Sequence, residues 1–321
     1  MQLLSAERIT IAMMALAIIL QFLIYTSFGR HPEGVKVGKP LSPFLAEQHF
    51  RDEIRRLFSP TRLSMTQKSF SGALGYRLDM RDEPTWKTHL GHDLLIIDMD
   101  TRTPDIFKNR SHPKAMNWET LSSTQAGGII SAAVMNHFLY DKYINAREIP
   151  DHDSSWIRPH VLHSLLPHYK IIVAMDTDTT FQHLNLPLEW LFNRWGFVQN
   201  HTSIAMPVDT MEVKNGDKDA SKDSRGQVVL NAGFIVVQRG EHTMAMLDAW
   251  KSCTDGKTYQ DCGHWKKNWS HEQRAFSEYI RYDFNSDNRI VSIPCDDAMG
   301  YPEITDKEWI NGGLSLVLRI Q

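Results

Sequence analysis

Cysteine is scarce in this chain and basic blocks are absent, and both absences narrow what it can be. Three cysteines in 321 residues, Cys253, Cys262 and Cys295, are too few and too unevenly spaced for a zinc framework. Cys253 and Cys262 stand near enough to close a short loop. Lysines and arginines are dispersed among acids and the formal net charge is −3, so nothing tracks a phosphate backbone and no nucleic-acid partner is expected.

A cleavage signal is also missing where one would count. Residues 9–28, ITIAMMALAIILQFLIYTSF, carry no charge over twenty positions. As a helix rising about 1.5 Å per residue they span about 30 Å, the hydrocarbon thickness of a bilayer. A signal peptide has a shorter apolar core followed by small residues, whereas residues 25–30 here are bulky. An uncleaved anchor is therefore expected, with a cytosolic tail at 1–8, the anchor at 9–28, a stem at 29–85 and a head at 86–321. Prolines, scattered charge and one amphipathic segment at 44–58 mark the stem, and an extension packed on the head is its other reading. Charge does not orient the anchor, because Arg8 on one side faces Arg30, Lys36 and Lys39 on the other. Sequons at Asn109, Asn200 and Asn268 favour a lumenal head.

The head is organised around KIIVAMDTDTTF at 170–181. A short apolar run rich in β-branched residues, ending in two acids one residue apart, predicts a buried parallel strand that delivers Asp176 and Asp178 to its carboxyl end. Open α/β sheets bind ligands at that edge. Two carboxylates in a turn beyond the strand suit one hard divalent cation with sites left open for phosphate oxygens. Before it, residues 92–102 read as a strand ending in acids, 121–140 as a helix, 143–150 as a strand and 155–166 as a helix. Strand, helix, strand, helix, strand implies an α/β fold with a mixed, mostly parallel sheet flanked by helices. A nucleotide would lie over its carboxyl edge beside Asp98, Arg102 and Asp176.

Downstream, 187–195 reads as a helix with proline at its start and Gly196 at its stop. Residues 203–207 read as a strand, 209–227 as a charged loop, and 228–237 as a strand in which Asn231 and Gly233 mark a bulge or a close approach. A helix at 243–250 follows, then one from Ser270, where Ser270 and Gln273 fit a capping box and Glu272 complements the helix dipole.

These motifs carry a resemblance over residues 86–309. IIDMDTR, SAAVMNHFLY, the pair Trp156 and Arg158, VAMDTDTTF, LPLEWL, LNAGFIVVQRG, SHEQRAF, and RYDF followed by SIPCDDAMG resemble the fungal branch of the eukaryotic α-galactosyl, α-mannosyl and xylosyl transferase family of type II Golgi membrane enzymes. The resemblance implies a nucleotide-sugar-binding, GT-A-like fold and a retaining transfer of a hexose or pentose. The donor would be a UDP-sugar or GDP-mannose, with Mn2+ at Asp176 and Asp178, and the acceptor a glycan or glycoprotein. It places the amino terminus in the cytosol and Asn231, Gly233, Glu272 and Gln273 around the donor sugar, Glu272 and Gln273 as catalytic residues. Trp156 and Arg158 carry over as donor-site residues, although the family usually has lysine where Arg158 stands.

One feature departs from the family. Its members end in a glycine-containing strand whose histidine is the third manganese ligand, whereas no histidine follows His271 in this sequence, which closes NGGLSLVLRIQ at 311–321. Weakened metal affinity and low transferase activity are expected on that ground, unless His264 or a water completes the coordination. A non-catalytic, membrane-anchored subunit of a glycosyltransferase complex is one rival. The other is a haloacid-dehalogenase-like phosphatase with Asp176 as nucleophile, Asp178 as acid and base, and Asp296-Asp297 as its late metal motif. Against that stand the two strand and helix units before Asp176 and the expectation that Pro294-Cys295 does not follow a strand.

Overall fold

The computed structural model describes residues 63–71, 77–100, 142–145, 149–176, 179–181, 183, 185–210, 221–298 and 317–319, which all fall in one compact unit, Ile54–Gln321. The proposed anchor at 9–28, the helix at 121–140, and the site residues Arg102 and Asp178 lie outside the described residues. Among the described residues no helix is long and apolar enough to cross a membrane.

A six-stranded sheet forms the middle layer. Its strands are β3 (Leu94–Asp100), β4 (Lys142–Asn145), β5 (Ile171–Met175), β7 (Ile204–Pro207), β8 (Phe234–Gln238) and β9 (Ile290–Ile293), in the spatial order β4-β3-β5-β8-β7-β9. β8 is antiparallel to both its neighbours and the other five strands share one direction, so the sheet is mixed and mostly parallel. Two small antiparallel pairs join β1 (Ser69–Ser71) to β2 (Arg77–Asp79) and β6 (Thr179–Phe181) to β10 (Val317–Arg319).

The apolar runs are continuous because both faces of the sheet are covered. All five residues of β5 are buried, and their neighbours alternate. Ile172 and Ala174 pack with α1 (Ile157–Leu165) and α3 (Glu241–Ser252), through side chains such as Leu162 and Trp250. Ile171, Val173 and Met175 pack on the other face with Trp190, Phe192 and Trp195 of α2 (Leu188–Trp195). Period-two alternation with apolar residues on both sides is what a two-sided buried strand requires. α2 stops where expected, at Gly196 in the left-handed region with φ 70°, a conformation glycine adopts without a Cβ penalty.

Three boundaries differ from the expectation. Residues 63–71 and 77–85, inside the segment given above as stem or as an extension packed on the head, take the second course. Phe70 and Leu78 enter the α2 face of the core, Trp190 Nε1 donates to the Gln67 carbonyl at 2.8 Å, and Asn193 Oδ1 accepts both the Thr85 and Trp86 amides at 2.9 and 2.8 Å. β8 begins only at Phe234 rather than at 228, since Asn231 spends its side chain on local bonds. β9 ends at Ile293, so Pro294 does follow a strand, contrary to the sequence expectation.

Candidate active site

Because β8 runs against its neighbours, its amino-terminal approach meets the carboxyl ends of β5 and β7. The Asp176 amide donates to the Gly233 carbonyl at 2.8 Å and the Asn231 amide to the Pro207 carbonyl at 2.8 Å. This ladder brings Asp176, residues 231–233 and the residues after Pro207 onto one edge.

Gly233 is held close to Asp176. A Cβ on Gly233 would stand 2.8 Å from Asp176 Oδ2 and 2.9 Å from Asn231 Oδ1, so no side chain fits there. Asn231 Oδ1 accepts the Gly233 amide at 2.7 Å and its Nδ2 donates to Asp209 Oδ1 at 3.1 Å. Asp209 also accepts the Thr210 amide at 2.9 Å and Gln273 Nε2 at 2.9 Å. Gln273 completes the frame, its Oε1 accepting the Ala232 amide at 3.1 Å.

That pairing replaces the capping box. Ser270 precedes α4 (His271–Ala275) with φ −105° and ψ 46° and makes no side-chain cap bond, and its buried hydroxyl finds no partner. Gln273 instead ties α4 to the ends of β7 and β8. Past Ala275 the helix widens into a π turn at Phe276–Ile280, where Ser277 Oγ accepts the Leu230 amide at 3.0 Å. Turns of this kind recur at functional sites.

Arg158, in the first turn of α1, joins the edge from the other side. Its Nη2 donates to Asp176 Oδ1 and its Nη1 to Glu272 Oε1. Glu272 is almost wholly buried, at 2 % exposure, while the side chains of Arg158 and Asp176 keep 17 % and 14 %. Burial works against the guanidinium charge, but the Asp176 and Glu272 carboxylates outweigh it and hold Arg158 above its ordinary pKa. Trp156 is a core residue. It is 1 % exposed and its Nε1 donates to the Trp265 carbonyl at 3.0 Å, which fixes the start of α1 two residues before Arg158. Trp265 lies in the helical turn Cys262–Lys266, which starts at the Cys253–Cys262 disulfide, with Cα atoms 5.7 Å apart.

Of the remaining predicted site residues, Asp98 is buried in β3 and in register with Met175, one strand from Asp176. His264 stacks edge-on with Trp265 at 4.7 Å and its carbonyl accepts Asn268 Nδ2 at 2.7 Å. Asp209 was not singled out in the sequence. Its signal was there: like Asp176, it is an acid just beyond the end of an apolar strand.

The described residues alone do not compose a metal site. No group of three His, Cys, Asp or Glu suited to an ion occurs among them. Arg158 already engages Asp176 Oδ1, both Asp209 oxygens accept protein donors, and a guanidinium beside Asp176 repels a dication.

No family model and no curated protein matches the chain. Among solved structures, a glycosyltransferase involved in glycosylation of the major capsid of PBCV-1 is similar at 11 % identity and TM-score 0.41, covering 71 % of this chain and 92 % of that one. Mouse xyloside xylosyltransferase 1 in its apo form is similar at 12 % identity and TM-score 0.35, covering 52 % and 63 %. An active-site mutant of LgtC is similar at 13 % identity and TM-score 0.32, covering 61 % and 72 %.

Proposed function

We propose that this protein is a retaining glycosyltransferase that moves a hexose or pentose from a nucleotide diphosphate sugar, a UDP-sugar or GDP-mannose, to a glycan or glycoprotein. The observation that carries the reading is the gathering of Arg158, Asp176 and Glu272 at the carboxyl edge of a mostly parallel sheet, against a glycine that admits no side chain. Such an edge is where open α/β sheets take nucleotides. The motifs that resemble the transferase family supply the same residues.

The described side chains support the following chemistry. The Arg158 guanidinium is a fixed cation that stabilises negative charge developing on a leaving diphosphate. The acceptor hydroxyl attacks on the face the diphosphate leaves, the bond from the anomeric carbon to phosphate oxygen breaks, and a phosphate oxygen takes the acceptor proton. Glu272 acts here through Arg158, which it anchors, and Gln273 through the Asn231 to Gly233 segment, so both are positioning residues. A divalent ion, if bound, would be held by Asp176 with Asp178 and would offset charge on the leaving diphosphate.

We also propose that the protein sits in the Golgi membrane as a single-pass type II enzyme and joins a glycosyltransferase complex. The Cys253–Cys262 bond supports an oxidising compartment. The phosphatase alternative loses its second metal motif. Asp297 is spent on Arg194, at 2.8 Å, and on Trp195 Nε1, at 3.0 Å. β9 stands three strands from β5, about 14 Å at the usual strand spacing.

Full-length protein in detergent, incubated with UDP- and GDP-sugars, should release UDP or GDP from one donor and give a product of retained anomeric configuration. A phosphoaspartate trapped at Asp176, with no donor turned over, would replace this reading with the phosphatase.

A further inference from the structure

Arg158 is a cation with donors to spare. A guanidinium carries five N–H groups in a planar fork, and Arg158 commits one to Asp176 and one to Glu272. Its two anchors differ in kind. Glu272 is sealed in the interior, whereas the side chains of Asp176 and Arg158 each keep some exposure to solvent. The Glu272 bond therefore fixes the fork, and the Asp176 bond is the one a solute can exchange.

We propose that Arg158 binds the donor diphosphate directly, without a divalent ion, by exchanging Asp176 for phosphate oxygens. The inference rests on the glycosyltransferase reading and adds to it that Arg158 holds the diphosphate with no divalent ion, and that Asp176 competes for that cation. A planar fork held from behind by a buried carboxylate meets phosphate in bidentate fashion, which lysine, a point charge, does not reproduce. The trio of one guanidinium and two carboxylates carries a net charge of −1, so Asp176 opposes an incoming diphosphate twice. It repels the anion, and it occupies Nη2.

The consequence has an unusual sign. In EDTA, Asp176→Asn should tighten the binding of UDP or GDP, by about ten-fold for one charge removed at contact range in a partly exposed site. In a site where Asp176 serves diphosphate only through a metal, the same substitution weakens binding or leaves the EDTA value unchanged.

Calorimetric titration of the full-length protein with UDP and with GDP, each in EDTA and in manganese, tests this. Wild type should bind one of them in EDTA, Arg158→Lys should bind it more weakly, and Arg158→Met should lose about 10- to 100-fold, as expected for charge-assisted bonds. Arg158→Met leaves Glu272 buried without its partner, so Arg158→Lys and Asp176→Asn carry the test if Arg158→Met does not fold. Binding in manganese but not in EDTA overturns the inference and leaves the transferase reading standing. Binding in EDTA that is unchanged in Arg158→Lys and not tightened in Asp176→Asn overturns it as well. Binding of neither nucleotide under either condition overturns the transferase reading itself, and the inference with it.

Discussion

A methyl group on Gly233 is the smallest change that reaches the centre of the site. In Gly233→Ala the new carbon would lie 2.8 Å from Asp176 Oδ2 and 2.9 Å from Asn231 Oδ1. Restoring ordinary van der Waals separation moves each oxygen by about 0.5 Å. Neither oxygen moves without disturbing a bond. Asp176 is held through Oδ1 by Arg158 and through its amide by the Gly233 carbonyl, while Asn231 is held at both ends of its amide, by Gly233 and Asp209. Overpacking of this kind costs about 1–3 kcal/mol, which in a domain of this size lowers Tm by about 3–10 °C. Misplacement of a group at a reacting centre by a fraction of an ångström should reduce donor turnover by about ten-fold or more. Gly263→Ala is the control. Its Cβ would meet nothing nearer than the Thr254 carbonyl oxygen at 3.6 Å, so it should stay within about 0.5 kcal/mol of wild type. Thermal melts and UDP- or GDP-sugar turnover of both variants decide the matter. Gly233→Ala with an unchanged Tm and unchanged turnover would refute the claim that Asp176 is packed against this glycine.

Three further predictions concern the surroundings. Asn200 is exposed, in a left-handed turn with φ 60°, and in a lumenal head it should carry glycan; endoglycosidase treatment that leaves the mobility of the protein unchanged, at Asn200 and at the other sequons, would count against the lumenal placement. Replacing Cys253 and Cys262 together with serine should cost about 2–3 kcal/mol by loop entropy, and should loosen Arg158, because Trp265 and Lys266 accept bonds from Trp156 and Asp153 beside the closed loop; loss of stability with no change in UDP or GDP affinity would break that link. Burial pushes the Asp223 carboxyl up, but bonds from Tyr282 and the Gln227 amide and the charge of Arg281 hold it below its ordinary value. A depressed carboxylate stabilises the fold above its unfolded pKa of about 3.9 and loses that contribution as pH falls through the folded value. Denaturation of wild type should therefore steepen below about pH 4, and Asp223→Asn, destabilised by about 3 kcal/mol at neutral pH, should show a flatter acid limb; parallel acid limbs would contradict this.

The parts of the fold legible in the sequence are those whose cause is local. β5 announces itself because both of its faces are buried, and α2 because Gly196 relieves the left-handed turn at its end. Asp176 follows from the first of these, as the acid that ends the strand. The antiparallel pairing of β1 and β2 is not legible in the sequence because three-residue strands show no periodicity, even though Phe70 and Leu78 both reach the core. β8 looked longer than it is, since an apolar pattern does not reveal that Asn231 will bond its own neighbours. Short polar side chains compete with the ladder in this way.

Gln273 shows where local reasoning reaches its limit. Its spacing from Ser270 satisfies a capping box, and the same glutamine in fact bonds Asp209, 64 residues away, and Ala232, 41 away. Arg158 and Glu272 are 114 residues apart and meet only because α1 and α4 both begin at the carboxyl edge of the sheet. Spacing can nominate such residues singly. It cannot say which of two carboxylates an arginine will keep, and that choice is set by burial: Glu272 has no water to turn to, so its bond to Arg158 persists, while Asp176 can be solvated when it lets go. The division of labour between a carboxylate that anchors the guanidinium and one that can yield it to a ligand is thus a property of the folded edge, where the depth of each acid decides its role.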